Sequence, residues 1–231
     1  PIGWFLLFIG VTALIVLFGV EKGIEKVSKI LMPVLVILSV FIAIYVCFMP
    51  GALEGVKYYL IPNFANFSMK TVVAATGQLF YSMSLAMGIM ITYGSYMKKD
   101  INLESSVKQI ELFDTGIAFL AGLMVIPAVF SFSGGDEAAL STGPGLMFET
   151  LPKVFGKMAG GTAIGAVFFL LVMFAALTSS ISLMETVVSI ISDKFSLSRN
   201  KCCVIVIAIC LLLGVPSSLG FGLLDFVKVS D

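Results

Sequence analysis

Long uncharged runs dominate the chain, covering residues 1–20, 30–53, 71–97, 115–135, 158–184 and 202–224. A helix that crosses a bilayer needs about 20 mostly apolar residues, and each run approaches or exceeds that. In lipid, only helices and closed barrels satisfy their own backbone polar groups. Barrel strands read as segments of roughly ten residues with alternating polarity, whereas these runs are longer and do not alternate. The pattern therefore predicts an all-α, polytopic membrane protein with spans near 3–20, 27–50, 70–97, 109–132, 160–193 and 201–216. A Gly- and Pro-rich loop over 134–157 follows the fourth span, with short helices expected at 138–140 and 145–155. A loop of that length serves equally as a functional lid or as a plain surface connection. A further apolar segment opens at 222–231, so residues 1–231 are expected to be a single transmembrane domain cut from a larger protein.

Composition narrows the class. Hydrophobic residues make up 59 % of the chain and charged residues 12 %. Soluble domains sit near about 45–50 % and about 25 %, so a water-facing surface cannot be built from this sequence. Disorder, which requires low hydrophobicity and high net charge, is excluded as well. The 14 basic and 14 acidic residues cancel, and no nucleic-acid partner is indicated. The chain has no histidine, which removes Ser-His-Asp and Cys-His catalysis and His-based metal sites. Cys47, Cys202, Cys203 and Cys210 lie within or at the ends of spans without metal-ligand spacing, and read as apolar packing.

The basic residues orient the spans. Lys22, Lys26, Lys29, Lys98, Lys99, Lys108, Lys194, Arg199 and Lys201 fall in one set of loops. Only Lys57, Lys70, Lys153 and Lys157 fall in the other. Cytoplasmic loops carry the excess of Lys and Arg, so the loops near 21–29, 98–108 and 193–201 are expected to be cytoplasmic.

Four polar features interrupt the spans. Gln78, Ser82, Ser84 and Gly88 fall inside the third, which is longer than a span needs. They mark either a non-helical break facing a protein-lined cavity or hydroxyls bonded back to their own helix. Thr178, Ser179, Ser180 and Ser182 cluster in the fifth, followed by Glu185. The hydroxyls are either oxygen ligands for a hard cation or small residues for helix packing. Asp114 opens the fourth apolar stretch; it is either a functional intramembrane carboxylate or an aspartate placed by a helix dipole. Gly23 and Pro33 bracket the inner end of the second span as a hinge or a static kink.

Several stretches together resemble one family. GQLFYSMSLAMGIMITYGSYMKKD (77–100), LTSSISLME (177–185), GPGLMF (143–148) and KGIEKVSKILMP (22–33, with a Gly-x9-Pro pattern) resemble segments of the neurotransmitter:sodium symporters. The bacterial amino-acid transporter branch is the most similar. The matches are ordered and spread over nearly the whole chain. They cover the family's helices four to nine and the start of the tenth.

The resemblance implies a partial leucine-transporter-type inverted-repeat fold with a broken helix at Ser82–Gly88. It implies sodium-coupled symport of a neutral apolar or aromatic amino acid across the plasma membrane by alternating access. Partners would be the amino acid, sodium as the coupling ion, and the bilayer; no other cofactor and no enzymatic activity are implied. Substrate-binding positions would be Tyr81, Ser82, Ser84, Ala86, Met87, Ser179 and Leu183. Ser82 and Asp114 would serve a first sodium, and Ala175, Thr178 and Ser179 a second. Tyr81 and Asp225 would be gate residues, and Gly23 and Pro33 the hinge. Met87 stands where a phenylalanine occurs in the family, and Ala86 where glycine is frequent. In chloride-dependent members an asparagine occupies the position of Asp114, and a serine one turn later helps hold chloride. Ala118 stands there in this chain, so chloride-independent transport is implied. The chain alone is not expected to transport, because the family's first helix supplies much of the site. A channel would need a continuous polar pore, which no span offers. A structural membrane subunit would not account for the coincident motifs.

Overall fold

The computed structural model describes residues 2–64, 67–134, 145–157 and 160–220, except the side chains of Glu21 and Gly220. The segments expected at 138–140 and 222–231, with Asp225, lie outside the described residues. The described chain is built from helices: α1 Ile2–Leu17, α2 Lys26–Cys47, α3 Ala52–Leu60, α4 Met69–Ser82, α5 Ile89–Ser95, α6 Leu103–Ser133, α7 Leu151–Lys157, α8 Gly161–Phe195 and α9 Arg199–Gly220. π-Helical turns at Val20–Glu25 and Leu146–Thr150 lead into α2 and α7.

Among the described residues, four stretches are long and apolar enough to cross a membrane: Lys22–Cys47, Leu103–Ser133, Gly161–Phe195 and Arg199–Leu219. Helix α1 has 16 residues and is shorter. It stops where Gly19 takes φ +85°, which a continuing helix does not permit. The third apolar run does not form one helix. It becomes α4 and α5, of 14 and 7 residues, joined by irregular backbone.

Two compact units can be distinguished: Pro1–Leu31, Met87–Tyr96 and Ala175–Asp231 form the first, and Met32–Ala86 with Met97–Phe174 the second. In the first, Ala13, Val16, Ile24, Ile181, Met184, Val188, Cys202, Cys203 and Val206 form the buried core. They come from α1, the turn before α2, α8 and α9. Gly23 lets that turn lie against α1, since a Cβ there would collide with the Ile15 carbonyl.

In the second unit, α3 lies along α6. A Cβ on Gly55 would come within 2.7 Å of Pro127 Cα, and the Tyr59 ring fills the hollow left at Gly122. Tyr58 packs on Phe130 with ring centroids 5.0 Å apart. Phe155 of α7 packs on Phe168 of α8 at 5.3 Å. Small residues at these crossings replace side-chain bulk with close backbone approach, as membrane helix interfaces favour. Ile37, Ile91, Val204, Leu212 and Leu213 are among many large apolar side chains left exposed, as lipid-facing helix surfaces require.

Candidate functional site

The break between α4 and α5 is built by two left-handed residues. Ser84 has φ +56° and Gly88, which precedes α5, has φ +74°. For glycine this conformation is free of strain, but for serine it is uncommon and costs energy that tertiary context must supply. Gly88 packs beside Thr186, where a Cβ would sit in ordinary van der Waals contact with Cγ2 at 3.4 Å, so its φ and not its space calls for glycine. The Leu79, Phe80 and Tyr81 carbonyls at the end of α4 accept turn hydrogen bonds from the Met83, Leu85 and Ser84 N–H groups, so the helix closes on itself before the irregular segment begins. The expected break at Ser82–Gly88 is thus present. Ser82 is the last residue of α4, and Ser84, Ala86 and Met87 lie in the irregular segment.

In the second unit, Ser82 and Asp114 meet. Ser82 Oγ donates to Asp114 Oδ1 at 2.5 Å. Asp114 is half-buried. Helix α6 begins at Leu103, so Asp114 stands about three turns inside it and not at its first turn. A dipole-stabilised role near the helix start therefore falls to Glu104, in the first turn of α6. The Ser82 hydroxyl hydrogen is committed to the carboxylate. Its lone pairs and the second Asp114 oxygen remain available, an oxygen-only donor set suited to a hard cation. Tyr81, on the preceding position, is 67 % exposed.

In the first unit, α8 carries the other matched residues. Thr178 Oγ1 donates to the Ala175 carbonyl at 2.9 Å, so both oxygens belong to one turn. Ser179 and Leu183 are exposed on α8. Around this turn hydroxyls link neighbouring helices. Thr12 Oγ1 donates to Phe8 O at 2.9 Å, which makes Ser180 the donor in the 3.2 Å contact between them. Gly23 lies in the π-helical turn before α2 and Pro33 inside α2.

One polar cluster had no counterpart among the expected site residues. Glu185 is fully buried in α8. Arg199 donates to it through Nη1 at 3.1 Å and Nη2 at 2.5 Å. Arg199 also donates to the Val16 carbonyl at the end of α1, through Nη2 at 2.8 Å and Nε at 3.2 Å. Tyr96 donates to Glu185 at 2.7 Å. The cluster ties α1, α8, α9 and the end of α5 together. The available signal was a carboxylate inside an apolar run, too costly to leave without a partner.

The family model described as "Sodium:neurotransmitter symporter family" matches residues 2–227. The sodium-dependent transporter YhdH of Bacillus subtilis is 36 % identical over 224 residues, covering 97 % of this chain and 49 % of the relative. The sodium-dependent transporter MJ1319 of Methanocaldococcus jannaschii is 37 % identical over 220 residues, covering 93 % of this chain and 45 % of the relative. A crystal structure of MhsT in complex with L-phenylalanine superposes with a TM-score of 0.83 at 40 % identity, covering 99 % of this chain and 51 % of that one. The chain thus spans about half the length of these relatives. With its four membrane-length helices it is a multi-pass membrane protein. The leucine-transporter-type fold, the broken helix and the family match agree, and this chain belongs to the sodium:neurotransmitter symporter family.

Proposed function

We propose that the full-length protein couples sodium entry to uptake of a neutral, apolar or aromatic amino acid across the plasma membrane by alternating access, as a transporter and not an enzyme. The observation that carries this reading is the Ser82–Asp114 contact at the helix break. A carboxylate and a hydroxyl together suit a first sodium. Ala175 O with the hydroxyls of Thr178 and Ser179 suits a second. The relative crystallised with L-phenylalanine supports an amino-acid substrate. Tyr81, Ser82, Ser84, Ala86, Met87, Ser179 and Leu183 are assigned to substrate binding. Tyr81 and Asp225 are assigned as gate residues. Among the side-chain-facing positions Tyr81, Met87 and Leu183, none is charged, and an unpaired charged substrate side chain would be costly to bury there. The loops near 21–29, 98–108 and 193–201 are taken as cytoplasmic on their Lys and Arg content.

The deciding measurement is amino-acid binding to the full-length protein with sodium present or replaced by choline. Sodium-dependent binding of apolar or aromatic amino acids is expected. Substituting Met87 or Leu183 with tryptophan is expected to exclude the bulkiest substrates first. Preference for lysine or glutamate would refute the substrate class. Residues 1–231 alone are expected not to transport.

Gly23 and Pro33 are assigned to a hinge at the inner end of α2. Pro33 removes one helical hydrogen bond, and Gly23 sits in a π-helical turn. Unwinding there would open a water path toward Thr178 and Ser179. Pro33→Ala is expected to slow sodium release to the inside more than it weakens sodium binding. A wild-type turnover rate in that variant would reduce the proline to a static kink.

A further inference from the structure

Helix α5 is fastened along α8 by three contacts within the first unit. Gly88 lies against Thr186, the Tyr93 hydroxyl lies 3.0 Å from Ser182 Oγ, and the Tyr96 hydroxyl donates to Glu185. The middle contact has a direction. Ser182 Oγ donates its hydrogen to the Thr178 carbonyl at 3.1 Å. A serine hydroxyl has one hydrogen, so the Tyr93 hydroxyl is the donor to Ser182. The result is a one-way relay from Tyr93 O–H to Ser182 O–H to the Thr178 carbonyl. Thr178 in turn donates through its own hydroxyl to the Ala175 carbonyl.

We propose that Tyr93 is a positioning residue for the second sodium site, acting through Ser182 on the α8 turn that carries Ala175, Thr178 and Ser179. The inference rests on the functional reading above, which assigns that turn to sodium. A serine that bonds back to the carbonyl four residues earlier competes with the helical N–H and tilts that carbonyl. Ser182 does this to Thr178, and the Tyr93 hydroxyl holds Ser182 in the rotamer that does it. The tilt sets how the oxygens of the turn are presented. Tyr93 belongs to α5, which directly follows Met87 and Gly88 of the break. A movement of α5 is therefore felt at the second sodium turn, and an ion bound on that turn resists movement of α5. This gives the broken helix and the second sodium a direct mechanical link, separate from the Ser82–Asp114 pair in the other unit.

The test uses the full-length protein and L-phenylalanine as probe, with binding titrated against sodium. Tyr93→Phe removes only the hydroxyl. It is expected to raise the sodium concentration for half-maximal binding about three- to tenfold, the range of one neutral hydrogen bond. Probe affinity at saturating sodium is expected to stay unchanged. Ser182→Ala is expected to give the same shift, and the double variant no more than either single one, because the relay is shared. Tyr96→Phe, which lacks any link to Thr178, is expected to leave the sodium dependence unchanged. If wild type is sodium-dependent and neither Tyr93→Phe nor Ser182→Ala moves the half-saturation beyond Tyr96→Phe, this inference fails alone. If wild type binds the probe equally without sodium, the functional reading fails and takes this inference with it.

Discussion

Asp114→Asn in the full-length transporter is expected to raise the sodium concentration for half-maximal uptake by roughly 30- to 1,000-fold. The carboxylate holds the Ser82 hydroxyl at 2.5 Å and places a formal negative charge beside the helix break. Asparagine keeps the shape and one oxygen but loses that charge. At an effective dielectric constant near 20, a unit charge pair about 4 Å apart is worth about 4 kcal/mol. Allowing for the half-exposed setting, about 2–4 kcal/mol is the expected loss, which converts to the stated factor. The same charge is expected to remove the need for a balancing anion. Ala118, one turn along α6, has no group to hold chloride by hydrogen bonding. Uptake by wild type is therefore expected to persist when chloride is replaced by gluconate at constant sodium. Asp114→Asn combined with Ala118→Ser is expected to make uptake chloride-dependent. A large loss of wild-type uptake in gluconate would show that Asp114 is not the balancing charge.

Arg199→Ala is expected to be among the most destabilising single changes in this chain. Glu185 is fully buried, and Arg199 supplies its only cation among the described residues. Removing one partner of a buried pair leaves an uncompensated charge and costs about 3–5 kcal/mol. The variant also strips two donors from the Val16 carbonyl at the end of α1. Arg199→Lys is expected to recover only part, since an ammonium cannot fork between a carboxylate and a carbonyl as guanidinium does. Arg199→Met with Glu185→Gln is expected to be more stable than Arg199→Ala, because the buried charge is gone. Thermal unfolding of the purified full-length protein, followed by tryptophan fluorescence, measures this. An unchanged melting temperature in Arg199→Ala would mean that Glu185 has another counter-ion.

The break at Ser82–Gly88 is one of two readings that the residues leave open, and the family resemblance implies it; membrane residence and helical elements are legible in the residues alone. These are local properties. Lipid selects helices by the length and uncharged character of a run. The family motifs likewise named Ser82 and Asp114 as possible partners. Their meeting, across a sequence separation of 32 residues, emerges only in the folded chain. Helix rotation and tilt determine which side chains face each other, and residue spacing along one helix does not specify either. The same reason hid the Glu185–Arg199–Tyr96 cluster. Its members stand 14 and 89 residues apart, and in sequence Glu185 reads as a stray carboxylate and Arg199 as a cytoplasmic-loop cation. The direction of the Tyr93–Ser182–Thr178 relay was equally out of reach. It depends on which acceptor takes the single hydroxyl hydrogen of Ser182, and that is settled by helix packing.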